Sequence, residues 1–206
     1  MSQIQVGVKG GYNYYFIFNN ESGSDRAKYN ENNNSYIFSI VARQRTSHVI
    51  NLSIEFEYLH QSFYVDATWG SAGGGEYDKL NFNLGKVNFH FQPQFVFGRK
   101  FKVFFYPGLY FGKIVNSSVD GTISRRKSDQ IDPKIDTVHG SANSFFPWID
   151  VGVEAGVGLD IPLYKNFNLV FENAYSYSFT SLSWGSNNAH FFNIKFEAGL
   201  TYTFKF

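Results

Sequence analysis

The side chains with the clearest capacity for chemistry are His60 and Ser62, separated only by Gln61. On an extended segment two such residues share a face, because successive side chains point to opposite sides of the pleat. A serine becomes a nucleophile when a base within hydrogen-bond reach takes its proton and an acid orients that base. Glu76 and Asp78 are the acids that could complete the set, and the chemistry would be hydrolysis. The other histidines add nothing to it. His48, His139 and His190 fall in turns or loops, His90 faces inward, and no two have the spacing of metal ligands. Arg125-Arg126-Lys127 has the charge to meet phosphate groups, although a solvated loop tip has the same composition. Gly73-Gly74-Gly75 lacks the following Lys-Ser/Thr of a phosphate cradle. No catalytic, cofactor-binding or metal-ligating residue is fixed by these patterns.

The elements that must carry these groups are read from alternation. From His190 to Phe206, Phe192, Ile194, Phe196, Ala198, Leu200, Tyr202, Phe204 and Phe206 fall on one face, with Asn193, Lys195, Glu197, Thr201 and Lys205 on the other. A period of two is the mark of a β-strand. Seven further strands are expected at about Gln3–Phe18, Ser35–Arg45, Val49–Ser62, Lys79–Phe97, Phe101–Val115, Phe146–Ile161 and Phe167–Thr180. In the fourth of them Leu80, Phe82 and Leu84 are even-numbered, whereas Val87, Phe89, Phe91, Phe95 and Phe97 are odd. A bulge near Gly85-Lys86 would keep all of them on one face. The fifth carries aromatics on both faces. Short links lie at Thr46-Ser47, Gly98-Arg99-Lys100 and Pro162 to Asn166. Long polar ones span 19–34, 63–78, 116–144 and 181–189. That asymmetry is expected of an eight-stranded antiparallel up-and-down transmembrane β-barrel, with short periplasmic turns and long extracellular loops. Both termini then fall on the periplasmic side.

Composition agrees. Aromatic residues make up 20% of the 206, with 24 Phe and 14 Tyr, while charged residues are only 17%. Mean hydropathy is −0.26, and no run approaches the roughly 18 apolar residues that a membrane helix needs. A net charge of +1 gives no reason to expect a nucleic-acid partner. The absence of cysteine excludes disulfides and thiolate metal sites. Alternation begins at Gln3, directly after Met1 and Ser2, so an exported protein is expected here in mature form, with Met1 standing in for a removed leader.

Alternation alone leaves open whether the apolar face meets lipid or lines a ligand cavity, as in a soluble lipocalin-like carrier. Glycine placement favours lipid. Gly7, Gly11, Gly152, Gly156, Gly158 and Gly199 lie on the polar face, and a narrow barrel interior must mix small residues with large. The Phe and Tyr face is then outside. Lys9, Arg43, Glu55, Glu57, Lys86, His90, Lys102, Glu154, Glu172, Lys195 and Glu197 point inward. Buried charges persist when paired, so these are expected to interlock as a plug, or alternatively to line a gated ion path. Lys9 and Glu197 should pair if the first strand meets the last. Trp69, Trp148, Trp184, Tyr12, Tyr14, Tyr175 and Tyr177 gather toward the long-loop side, where amphipathic rings meet headgroups.

Four segments carry a family resemblance: Val6-Gly7-Val8-Lys9-Gly10-Gly11-Tyr12-Asn13, Phe105-Tyr106-Pro107-Gly108-Leu109-Tyr110-Phe111-Gly112, Gly152-Val153-Glu154-Ala155-Gly156-Val157-Gly158 and Thr201-Tyr202-Thr203-Phe204-Lys205-Phe206. The chain resembles the small outer-membrane β-barrel proteins of Bacteroidetes-type bacteria, PorT-like proteins among them. More distantly it resembles the OmpA/OmpX-type barrels. The resemblance covers residues 1–206 as a single domain. It implies an integral outer-membrane protein without an open pore, as a structural or accessory subunit of an envelope secretion or assembly complex. Implied partners are outer-membrane lipid and lipopolysaccharide, and other envelope proteins at the four long loops. Tyr202, Phe204 and Phe206 resemble the terminal signal read by the barrel-assembly machinery. His60 and Ser62 also resemble the His-x-Ser pair of outer-membrane lipid A deacylases, with Phe63 where those enzymes prefer a polar residue. That likeness implies a lipid-modifying hydrolase as the alternative.

Overall fold

The computed structural model describes residues 3–19, 26–47, 49–71, 74–98, 100–126, 134–142, 149–180, 182–184 and 187–206. They form ten strands: β1 (Gln3–Asn19), β2 (Arg26–Arg45), β3 (Ile50–Ser71), β4 (Gly74–Phe97), β5 (Lys102–Arg126), β6 (Lys134–Ser141), β7 (Ile149–Tyr164), β8 (Phe167–Ser178), β9 (Leu182–Trp184) and β10 (Asn187–Lys205). Every pairing is antiparallel. The order is β1-β2-β3-β4-β5-β7-β8-β10, and β10 pairs back onto β1. The first and last strands align without a shift from Gln3↔Lys205 to Asn19↔Ala189. The eight strands expected from alternation are those of this cycle. β6 and β9 are additional, joined to β5 and β10 respectively.

The strands also run further than expected. Residues 63–71 and 74–78, expected in a loop, continue the β3–β4 ladder to Ser71↔Gly74. Residues 116–126, also expected in a loop, belong to β5, and Arg26–Asn34 belongs to β2. Much of the sequence expected in long loops is thus strand. At the opposite end Pro162 to Tyr164 is strand, which leaves Lys165-Asn166 as a tight turn. Lys165 takes a left-handed φ of 52° there, and Gly98 takes 99° in the β4–β5 turn. A side chain at Gly98 would also strike the Phe101 carbonyl, so that position requires glycine.

The two faces are partitioned as the glycines indicate. Val8, Tyr12, Phe38, Phe56, Phe105, Phe111, Phe171 and Phe196 are exposed, whereas Lys9, Asn13, Arg43, Glu55, Glu57 and Lys195 are buried. Rings at 4.8–6.5 Å spacing tile the exposed face, including Phe56–Phe89, Phe95–Phe105 and Tyr202–Phe204. A cavity-lining role for these aromatics, as in a soluble carrier, is incompatible with that exposure.

One part of the face assignment is corrected. Leu80, Phe82 and Leu84 are buried, and so are Lys86, Asn88, His90, Gln92 and Gln94. Even-numbered residues of β4 therefore face inward along its length, and the β3–β4 register is unbroken. A register shift does occur at Gly85/Lys86, but against β5, where Gly85 opposes Asn116, Lys86 opposes Ile114 and Val115 is the extra residue. What changes near Gly85 is the chemistry of the interior. Toward the long hairpins it becomes apolar: Tyr15, Phe63, Val65, Leu80, Phe82, Leu84, Val119 and Phe191 pack into one cluster.

Candidate functional site

From the short turns toward the long hairpins the inner face passes through layers. In the middle lies a charged network to which all eight strands of the cycle contribute. Lys9 of β1 contacts Glu55 at 2.8 Å, Glu172 at 3.0 Å and Glu197 at 3.1 Å. Arg43 of β2 reaches Glu172 at 3.2 Å and stacks on the Phe104 ring at 4.6 Å. Tyr106 donates its hydroxyl to Glu172, and Ser39 donates to Glu197 at 2.9 Å. Beside this group Lys195 contacts Glu57 at 2.5 Å and Glu154 at 3.8 Å. His90 lies between the same two acids, 2.8 Å from Glu154 and 3.4 Å from Glu57. Gln92 and Asn88 donate to Glu154 and Glu57. Glu55, Glu57 and Glu197 place carboxylate oxygens within 4.8 Å of one another. Lys9, Lys195 and Ser39 already engage these acids, so the trio reads as part of the ionic plug.

Removing ions from water costs several kcal/mol each even after relaxation. The network answers that cost by giving most of its charges several partners. The balance is uneven, though. Lys9 and Arg43 face three carboxylates (Glu55, Glu172 and Glu197), whereas Lys195 and His90 face two.

A second layer lies between the charges and the apolar cluster. Asn13 donates to Ser35 and Asn193, and Gln61 donates to Asn193 at 2.7 Å. Lys86 pairs with Asp150 at 3.1 Å and lies 4.2 Å over the Phe191 ring. Asp150 also accepts from Ser178 and Thr180. The expected pair Lys9–Glu197 is present. Of the residues expected to point inward, all are buried except Lys102, which sits half-exposed at the short-turn end. Asp150 and Asp160 were missing from that expectation, although both share the inward parity of Glu154.

The hydrolytic set is not assembled. Ser62 lies in mid-strand, covered by the continuing β2 and β4, and its Oγ donates to Asn83 Oδ1 at 2.6 Å. His60 instead stacks on the Tyr36 ring at 4.8 Å. The two form no hydrogen bond with each other among the described residues. Asp78 is buried on the inner face opposite Ala67, which is seven residues beyond His60. At about 3.4 Å per residue that is roughly 24 Å, too far to orient an imidazole. Glu76 is further still and pairs with Arg125 at 3.1 Å. With Asn83 holding its hydroxyl and neither Glu76 nor Asp78 in reach, Ser62→Ala should leave the lipid A acylation pattern of cells unchanged. A lost acyl-chain cleavage would restore the hydrolase.

Other predicted positions are distributed as follows. His139 pairs with Asp120 on the extended hairpin and His190 lies near the Ser178 carbonyl. Arg125 is engaged by Glu76. His48, Lys127, Trp148 and the side chains of Arg126, Trp69 and Trp184 lie outside the described residues, and so does Gly73.

Similarity to known proteins agrees with this architecture. The chain resembles OprG from Pseudomonas aeruginosa, with a TM-score of 0.52 at 11% identity over 100% of this chain and 96% of that one. Neisserial surface protein A gives 0.49 at 12% identity, covering 98% and 97%. The attachment invasion locus protein Ail of Yersinia pestis gives 0.42 at 13% identity, again covering 98% and 97%. No curated protein sequence matches. The model of the outer membrane protein beta-barrel domain matches residues 1–183, so this chain belongs to that family, and it is an integral protein of the bacterial outer membrane.

Proposed function

We propose that the chain is a closed, eight-stranded barrel without an open pore, and that it serves as a structural or accessory subunit of an envelope secretion or assembly complex. The observation that carries this reading is the doubly obstructed interior. A water path along the axis would have to pass the Lys9–Glu172–Arg43 network and then the cluster around Phe63, Phe82 and Phe191. Neither layer favours ion passage, because the first holds its charges in mutual contact and the second is packed mainly with aromatic and aliphatic side chains.

The long-hairpin end supports an interactive role. Beyond Tyr58, Val87 and Val115 the outward face becomes richer in polar residues, with Asp66, Thr68, Lys79, Asn81 and Asp120 beside the exposed Tyr77 and Ile135. Polar outward residues over an apolar inner face describe a water-exposed sheet that stands clear of the bilayer. Segments 19–34, 63–78, 116–144 and 181–189, whose described parts belong to these hairpins, are the surfaces offered to lipopolysaccharide or to another envelope protein. Both termini lie at the opposite, periplasmic end, where Tyr202, Phe204 and Phe206 engage the barrel-assembly machinery during insertion. The four sequence segments that resemble the PorT-like proteins of Bacteroidetes-type bacteria support this reading.

Purification in mild detergent followed by identification of co-purifying proteins tests the subunit role. A stoichiometric envelope partner is expected, and recovery of the chain alone would remove that role. Planar-bilayer recordings test the closed interior. Conductance should match protein-free bilayers, and steady single-channel steps would replace the plug with a gated path.

A further inference from the structure

We infer that the inner face of β3 and β4 binds a chain of water that enters at the short-turn end and stops inside the barrel, so that the charged network is hydrated from one side only. The polar atoms that call for it lie in two successive rows. In the first, Gln94 of β4 stands opposite Asn51 of β3. In the second, Gln92 stands opposite Ser53, which is itself paired with Arg43 of β2. Gln94 and Ser53 are 0% exposed, and Gln92 and Arg43 are 2% exposed. Yet Gln94 Oε1 and Nε2, Ser53 Oγ, Gln92 Oε1 and Arg43 Nε have no hydrogen-bond partner among the described residues. Folded proteins satisfy nearly all buried polar groups, with protein or with ordered water.

The chemistry of the set selects its ligand. Arg43 Nε and Gln94 Nε2 only donate, Gln92 Oε1 and Gln94 Oε1 only accept, and Ser53 Oγ does both. A bare cation would serve the acceptors and leave the donors, and an anion would do the reverse. Water serves both kinds, and a buried water typically makes about three such bonds. The supply adjoins the first row. A polar cavity of about 60 Å3 at the short-turn end is lined by Asn51, Arg43, Gln5, Lys102 and Thr203 among others, where one water needs roughly 10–15 Å3. Asn51, Gln5, Lys102 and Thr203 are partly exposed, so the cavity is reachable from solvent. Past the second row, Gln92 Nε2 donates to Glu154 at 2.9 Å and Arg43 Nη2 to Glu172 at 3.2 Å, which brings the water to the edge of the charged network. On the other side of that network the packed cluster around Leu80, Leu84 and Phe191 closes the way. In the orientation proposed above, the network exchanges protons with the periplasm and is sealed from the cell exterior.

The test is nuclear Overhauser transfer from water to the isotope-labelled full chain in detergent micelles. Transfer to the side-chain amides of Gln94 and Gln92 is expected, with none to the methyl groups of Leu80 and Leu84. Ser53→Val, which replaces one of the bridged groups by an apolar one, should weaken the transfer to both amides. Asn51→Phe, at the mouth of the path, should slow deuterium exchange of the Gln94 side-chain amide severalfold while the backbone resonances stay in place. A dry Gln94 in the parent protein overturns the proposal and leaves the closed barrel as it is. Transfer that extends to Leu80 and Leu84 overturns the one-sided path and the closed interior together, because water would then cross the barrel. An unchanged exchange rate in Asn51→Phe also overturns the proposal, since the entry would not lie at the short-turn end.

Discussion

Lys9→Met is expected to destabilise the barrel by roughly 3–5 kcal/mol, the range for breaking a buried ion pair by removing one partner. The Lys9 side chain is wholly buried and lies within 3.1 Å of three carboxylates on three other strands, β3, β8 and β10. Methionine fills nearly the same space and removes the ammonium group with its charge and its hydrogen-bond donors. Glu55, Glu172 and Glu197 would then face Arg43 alone. Because the same group already has one carboxylate too many, removing an acid should act in the opposite direction. Glu197→Gln keeps an acceptor for Ser39, balances two cations against two acids, and should be neutral or stabilising in an otherwise unchanged protein. In the Lys9→Met background it should recover part of the loss. Urea unfolding in detergent micelles, read as the midpoint of the transition, measures all three. If Lys9→Met unfolds within about 0.5 kcal/mol of the parent, as surface changes do, the network is not holding the strands together. If Glu197→Gln is as damaging as Lys9→Met, the charge imbalance is illusory.

Much of this structure could be read from alternation, and its failures share one cause. Period-two patterning shows that two faces differ without showing which face is which. In most strands the polar face could be placed inside through its glycines, so Lys9, Glu57 and Lys195 were located correctly. The same assumption failed in β4, where Leu80, Phe82 and Leu84 were assigned outward because the interior was taken as polar throughout. Past Gly85 both environments invert, with water outside and an apolar cluster within. The inversion also made 63–78 resemble a loop, since its outward residues Asp66, Thr68 and Lys79 are polar. His60 and Ser62 were misplaced for the same reason, as the strand end they were thought to mark lies in mid-ladder. The pairing of Lys195 with Glu57 had no signal at all. Their strands, β10 and β3, are not neighbours, and such contacts across the interior depend on tilt and stagger rather than on sequence order.

The aromatics on both faces of β5, its least regular feature in sequence, become the means by which the wall is fitted together. Phe104, Tyr106 and Tyr110 point inward and lie opposite Gly158, Gly156 and Gly152 of β7. Each ring occupies the volume that its glycine leaves. A Cβ at Gly158 would lie 2.2 Å from Phe104 Cζ and 2.6 Å from Cε2. The ring has little freedom to retreat, since Arg43 lies 4.6 Å over it and the Tyr106 ring stacks alongside. Gly158→Leu should therefore exceed the usual overpacking cost of about 1–3 kcal/mol and leave most of the chain unfolded. Phe104→Ala alone should cost about 3–5 kcal/mol through the cavity it opens. Combined, leucine enters the space vacated by the ring, and the double variant should be more stable than Gly158→Leu alone. Denaturant unfolding of the four proteins gives the coupling energy directly. Additive penalties would mean that ring and glycine do not share that volume, and the complementarity between β5 and β7 would no longer explain why these glycines stand where they do.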